Sequence, residues 1–390
     1  MSLIEDIIQF SKDYIKNVDY PFNSLDVTEY VCDILLCIYD KKYKQYIYEE
    51  IVNQIICNNF PYLNKKQFCF KLSEKSKEKL KERFKILKLK PQEVQRSEEW
   101  YKKRINTIGA SELASILNKS PFCSRNKYFL KKLGYTDNKP MQLNIYCMHG
   151  IKYEEIATML YSKNNNVKVE EFGSINDEHL EYIAASPDGI TTSGTMLEIK
   201  CPYSREIKGI PPIYYWMQMQ QQLKVCKLNK CDFLECNIKE YNSWSEFIND
   251  NYKGDYSKND FNLEKGVIIE YININEDDPW NIYGYKYPPS VDMNIQQIYD
   301  WDNLIKEEIK KDTEKKYSRI IPWKLEKYSC ISVFRNKDWW VENFELIKEF
   351  WSDVLFYREF GYESFIPKKR EKKKKPKVDE EYMFISDSDS

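Results

Sequence analysis

Two histidines, His149 and His179, are all that the 390 residues contain. Zinc hydrolase centres and histidine–metal nuclease sites draw on more imidazole than that, so any metal chemistry here falls to carboxylates. The eleven cysteines include no C-x-x-C pair. Cys226, Cys231 and Cys236 recur every five residues, a spacing that suits neither a zinc knuckle nor a disulfide framework. Their odd number points to reduced thiols, in a cytoplasmic or nuclear setting. No uninterrupted apolar run is long enough to span a bilayer, and the N-terminus does not read as a secretory signal. These absences set the expectation of a protein that is not secreted and has no membrane partner. Net charge is only −1, so the chain as a whole is not a polycation that coats nucleic acid.

What is present suits a folded protein. The composition is 42% hydrophobic and 15% aromatic over a length that allows two or three domains. Charge is segregated: Lys75 to Lys90 is lysine-rich, Lys368 to Lys377 is nearly all basic, and Asp379 to Ser390 is acidic. Residues 1–90 read as a helical accessory domain, with apolar stripes at Leu3, Ile4, Ile7, Ile8 and Phe10 and again at Val31, Ile34, Leu35 and Ile38. Pro21 and Pro61 separate its pieces. Residues 91–366 carry mixed helix and strand signals and form the second expected domain. Residues 367–390 read as a charged disordered tail, its basic run suited to nuclear import or polyanion binding.

The second domain is organised around Ala185 to Pro202, A-S-P-D-G-I-T-T-S-G-T-M-L-E-I-K-C-P. Pro187 and Gly189 place Asp188 in a turn, and Ser193-Gly194 makes a second turn that folds Asp188 back beside Glu198. Strand residues two apart share a face, so Glu198 and Lys200 look one way while Leu197 and Ile199 look into a core. Two carboxylates and a lysine then converge. Mg²⁺ is held by one or two carboxylates plus water and phosphate oxygens, and such an ion serves phosphodiester hydrolysis. The same residues also read as an exposed turn aspartate and a strand with a charged outer face.

Other segments supply further candidates. Arg104 lies seven residues before Ser111, which falls in the first turn of an expected amphipathic helix, a place where free N–H groups favour phosphate. The alternative is that Ser111 or Thr107 only caps that helix. Glu154 borders the apolar stripe Tyr153, Ile156, Ala157 and Leu160 of a longer helix, where a carboxylate is costly unless neutralised. Tyr214 to Val225 reads as helix and carries Gln218 four residues before Gln222; Gln218 reads as reaching a water or a phosphate, or as simple surface polarity. Val167 to Phe172, Tyr182 to Ala185 and Thr195 to Lys200 read as an antiparallel meander. Asp232 to Ile238 and Val267 to Ile274 read as further strands. Helices are expected at Tyr128 to Leu133, around Met293 to Ile309, and at Trp339 to Phe356.

Together these pieces resemble the lambda-exonuclease-like, or YqaJ viral recombinase, family of the PD-(D/E)XK nuclease superfamily. The resemblance rests on Trp100, Arg104 and Ser111; on Gly150-x-x-Tyr153-Glu154; on Ser186-Pro187-Asp188-Gly189; on Leu197-Glu198-Ile199-Lys200-Cys201-Pro202; and on Tyr215-x-x-Gln218-x-Gln220. It implies an α+β fold with an α/β/α restriction-endonuclease-like core, a central mixed sheet flanked by helices. It implies Mg²⁺ or Mn²⁺ held by Asp188, Glu198, the Ile199 carbonyl and Glu154. Lys200 would be the catalytic lysine, Gln218 would complete the site, and Arg104 with Ser111 would grip a terminal 5′-phosphate. The implied activity is 5′-to-3′ digestion of linear double-stranded DNA in viral-type recombination, repair or genome maturation. Double-stranded DNA ends are the implied partner, with a single-strand annealing protein and a homo-oligomer compatible with it. A structure-specific endonuclease of the same fold and a non-catalytic DNA-binding scaffold are the alternatives. Abundant Lys, Asn, Ile and Tyr fit an AT-rich genome such as that of a large DNA virus.

Overall fold

The computed structural model describes residues 3–17, 24–38, 52, 55–56, 74–93, 97–135, 144–276 and 281–366. The charged tail, Pro21 and Pro61 lie outside the described residues. The helices are α1 (Leu3–Asn17), α2 (Ser24–Ile38), α3 (Glu74–Leu89), α4 (Glu98–Ile105), α5 (Leu113–Ile116), α6 (Arg125–Lys132), α7 (Ile145–Asn165), α8 (Ile213–Cys226), α9 (Trp244–Asn249), α10 (Ile295–Lys310) and α11 (Lys337–Phe360). The strands are β1 (Ile108–Gly109), β2 (Val169–Glu170), β3 (Ile175–Asn176), β4 (Ile183–Ala185), β5 (Gly189–Thr191), β6 (Met196–Lys200), β7 (Lys230–Glu240), β8 (Lys265–Asn273), β9 (Tyr283–Lys286) and β10 (Lys315–Phe334). Among the described residues no helix is long and apolar enough to cross a membrane.

The main sheet has seven strands in the order β2-β5-β6-β7-β10-β8-β9, and β1-β4-β3 form a small second sheet. In the main sheet β6 and β7 run parallel and the other pairs are antiparallel, so it is mixed. A parallel pair needs a crossover, and α8 is that crossover. One face of the sheet packs on α7: Tyr153, Ile156, Ala157 and Leu160 meet Leu197, Ile199, Leu234 and Ile238. The other face packs on α8 and α11, where Trp216, Met219 and Phe350 join Met196, Phe233 and Val333. The result is the α/β/α sandwich implied by the resemblance.

Strand β10 is 20 residues long, and its halves pair with different neighbours. Lys315 to Lys324 lie against β8, and Trp323 to Phe334 lie against β7. Pro322 sits at the handover. Its carbonyl accepts the Tyr241 amide at 3.0 Å, so its missing N–H falls at the end of β7 and interrupts no ladder bond to β8.

One expectation changes. Tyr182 to Ala185 does not extend a meander with β6. Its strand, β4, pairs with β1 and β3 in the small sheet, and β5 takes the place beside β6. The lysine-rich helix α3 packs Leu80, Phe84 and Leu87 on the core of the larger unit, and Arg83 donates to the Cys226 carbonyl at 2.7 Å. Helices α1 and α2 form a separate cluster through Ile7, Ile15, Val27, Val31 and Leu35.

Candidate active site

The β5–β6 hairpin brings the first carboxylate into place. Its turn closes through Thr191 N–H on the Thr195 carbonyl at 2.8 Å. Gly194 has φ +83°, and a Cβ there would lie 2.8 Å from that of Leu80, so both backbone and space require glycine. Gly189 pairs with Leu197 across the hairpin, which sets Asp188 opposite Glu198. The Asp188 carboxylate accepts the Ile199 amide at 2.6 Å.

Glu198 is fully buried on the α8 side of β6, as the alternation predicts. The crossover helix supplies its partners: Gln218 Nε2 donates to Oε1 at 2.6 Å and Gln222 Nε2 to Oε2 at 2.8 Å. Lys200 completes the set, bonded to Glu198 Oε1 and 3.9 Å from Asp188. The Lys200 ammonium also lies 5.1 Å from the centre of the Tyr215 ring. Burial alone would push that ammonium down, but Glu198 and Asp188 outweigh it and hold its pKa above the ordinary lysine value. Burial and the Glu198 charge push Asp188 well up, with Glu154 adding to the effect.

The glutamines of α8 left two readings open, simple surface polarity or a Gln218 that reaches a water or a phosphate. The helix is buried over most of its length, its glutamines included, which removes the surface-polarity reading. Gln221 donates to the Ile108 and Ala184 carbonyls at 2.8 and 2.9 Å, joining β1 to β4. Gln220 donates to the Phe334 carbonyl at 3.0 Å and accepts the Asn336 amide at 2.6 Å. Gln218 thus orients a carboxylate, and Gln222, four residues on, shares that task.

The donor set suits a hard divalent cation: oxygen ligands, crowded carboxylates and a raised proton affinity that a cation would relieve. Among the described residues no three His, Cys, Asp or Glu side chains form a metal-holding group. Asp188 and Glu198 stand side by side, and the charge of Glu154, half-buried on α7, reaches Asp188. Ile199 follows Glu198 on β6, with its amide on Asp188 and its side chain in the opposite core.

A second group lies where α4 meets β1. Arg104 Nη2 donates to Ser111 Oγ at 3.3 Å and pairs with Glu112 at 3.0 Å, and the guanidinium sits 4.4 Å from the Trp100 ring centre. The expected amphipathic helix is shorter than the pattern suggested: a 3₁₀ turn, Ala110–Glu112, running into the single turn α5. Neither segment has a side-chain cap, and Thr107 Oγ1 donates back to Lys103. Both capping alternatives and the helix-terminus argument therefore give way to the Arg104–Ser111 pair itself.

Glu112, which sequence reasoning missed, is the hub of that group. It accepts from Tyr128 at 3.0 Å and lies 3.4 and 3.5 Å from Lys131 and Lys132. Burial raises its pKa, but Arg104, Lys132 and Lys131 outweigh this and hold it at about 2. Lys132 and Arg358 meanwhile bond the Arg104 and Ile105 carbonyls at the end of α4.

Residues 99–229 match the YqaJ-like viral recombinase domain. An uncharacterized protein of Acanthamoeba polyphaga mimivirus is 36% identical over 306 residues, covering 71% of this chain and 55% of the relative. The chain thus spans about half the length of that curated relative. Among solved structures, an alkaline exonuclease (LHK-Exo) from Laribacter hongkongensis aligns with 68% of this chain and 95% of its own, at 19% identity and a TM-score of 0.41. A phage related exonuclease from Haemophilus somnus 129PT aligns with 65% and 94%, at 14% identity and a TM-score of 0.32.

Proposed function

We propose that this chain, whose residues 99–229 form a YqaJ-like viral recombinase domain, is a metal-dependent deoxyribonuclease that digests linear double-stranded DNA from its 5′ ends. The observation that carries this reading is the side-by-side placement of Asp188 and Glu198 with Lys200 reaching both. Mg²⁺ or Mn²⁺ held by the two carboxylates, with the Ile199 carbonyl, would supply Lewis acidity and an activated water. Glu198 cannot rotate, because Gln218 and Gln222 hold one oxygen each. Lys200 sets a positive charge where charge builds on the attacked phosphate, an effect stronger in the transition state than in the ground state. Its contact with Tyr215 steadies it.

Arg104 and Ser111 would grip the terminal phosphate. Glu112 and Ser111 engage Nη2 and fix the guanidinium plane, so that Nη1 or Nε would meet a phosphate oxygen by a single charge-assisted bond. The matched domain supports a role in recombination; viral repair or genome maturation is the alternative setting for the same activity.

Incubation with linear and covalently closed circular duplex, each with and without Mg²⁺, tests the reading. Loss of the linear form alone, and only with the ion, is expected; cutting of the circle would make the protein an endonuclease. Duplexes differing only in the 5′-phosphate test the grip. The phosphorylated end should be digested faster, and Arg104→Ala should remove the difference.

A further inference from the structure

The two groups described above are not independent. Trp100 carries Arg104 on its ring face at 4.4 Å, while its indole Nε1 donates to Ser186 Oγ at 3.3 Å. Ser186 lies two residues before Asp188, and its carbonyl accepts from Gln222 Nε2 at 3.4 Å. The same Gln222 nitrogen holds Glu198 at 2.8 Å. A continuous path of contacts therefore runs Arg104, Trp100, Ser186, Gln222, Glu198. It begins on α4, passes through the turn that presents Asp188, and ends on β6.

We infer that Trp100 and Ser186 are positioning residues whose hydrogen bond fixes the end-phosphate grip relative to the carboxylate pair, so that a bound 5′-phosphate speeds hydrolysis as well as binding. The inference rests on the nuclease reading above. Reaction requires the scissile phosphate to be placed closely, and a misplacement of about 1 Å costs on the order of 100-fold in rate. A grip free to move relative to Asp188 would still bind the terminal phosphate. It would no longer convert that binding into turnover. Ser186 has two separate tasks here. Its hydroxyl faces the grip and its carbonyl faces the catalytic side, so a substitution can cut one link and keep the other.

The contact can be broken from either side. Trp100→Phe keeps an aromatic face under Arg104 and removes the N–H; Ser186→Ala removes the acceptor and keeps the carbonyl. Steady-state kinetics would be measured with 5′-phosphorylated and 5′-hydroxyl duplexes in Mg²⁺ for the wild type, both variants and the double variant. In the wild type the phosphate should raise kcat. In each single variant that advantage in kcat should fall by about tenfold, the scale of one hydrogen bond, while the ratio of the two KM values is kept. The double variant should lose no more than either single one, because both remove the same contact. Ser186→Thr, which keeps a hydroxyl, should restore the advantage.

A wild type that ignores the 5′-phosphate overturns the end-grip reading itself. A wild-type phosphate advantage that survives in kcat in both variants overturns this inference alone. So does a change confined to the KM ratio, which would mean that Trp100 only supports Arg104. Losses that multiply in the double variant would likewise show that the two residues act separately.

Discussion

Replacing Glu112 by glutamine removes one negative charge and almost no volume, so cavity terms do not enter. The carboxylate is 12% exposed and faces Arg104, Lys131 and Lys132 within 3.5 Å. Its pKa falls from an ordinary 4.5 to about 2 in the fold. A depression of that size corresponds to about 3 kcal/mol of stability at neutral pH. The sign follows from the depressed value: this stability is fully present above pH 4.5 and is lost as pH falls through 4.5 toward 2. A second effect has the same direction. Burial pushes Lys132 down to about 8, and Glu112 is the main group opposing that fall. The variant should therefore lower the Lys132 pKa further, toward neutral pH.

Urea unfolding at pH 7, followed by tryptophan fluorescence, would measure the loss. With m of about 3 kcal/mol/M, the midpoint should fall by about 1 M. The wild-type midpoint should also drop between pH 4.5 and 2.5, whereas the Glu112→Gln curve should be flatter there. Arg104 loses its strongest partner in the same variant, so the preference for a 5′-phosphorylated end should weaken. Equal midpoints at pH 7, with parallel curves on acidification, would refute the reasoning.

Asp188→Asn and Glu198→Gln should each abolish Mg²⁺-dependent cleavage in a gel assay while DNA binding by filter retention stays near wild type; wild-type turnover in either variant would remove that carboxylate from the site. Lys200→Ala should lower kcat by about 100-fold or more, the scale for one oriented donor; an equal loss in DNA affinity would reduce Lys200 to a phosphate contact. His149 is packed between Tyr153 and Tyr203 with its Nε2 buried and unpartnered. Burial, then Lys152 and Lys239, push its pKa down to about 4. Stability should therefore fall as pH drops from 6.5 toward 4, by up to about 3 kcal/mol, and thermal melts of His149→Phe should lack that part of the slope.

The centre of the site was legible because its geometry is local. Alternation along five strand residues orients Glu198 and Lys200, and two glycine turns within ten residues return Asp188 to Glu198. The Gln218–Gln222 spacing was equally visible. Their burial was not, because it depends on α8 being a crossover between parallel strands, which is a fact of topology. Pairing of β4 with β1 lay out of reach for the same reason: its partner is more than seventy residues away. Glu112 was missed because its counter-charges come from α4 and α6, and nothing in a short window relates them. The length of β10 was hidden by Pro322 and by charges at Lys315, Lys316, Arg319, Lys324 and Lys327, which read as breaks in a strand.

That strand has a consequence for how the protein is made. β10 pairs Phe334 with Lys230 and Lys315 with Asn273, so it closes gaps in the sheet left by segments synthesised long before it. Until residue 334 leaves the ribosome, β7 and β8 both keep an unpaired edge. Contacts between residues so far apart in sequence form slowly, and open edges in a nascent chain invite pairing with other chains. The β5–β6 hairpin borders β7 and is complete by residue 200, yet it must wait for β10 to acquire a finished sheet. A chain terminated before residue 315 should therefore accumulate as aggregate rather than as a smaller enzyme, even though it contains every candidate catalytic residue.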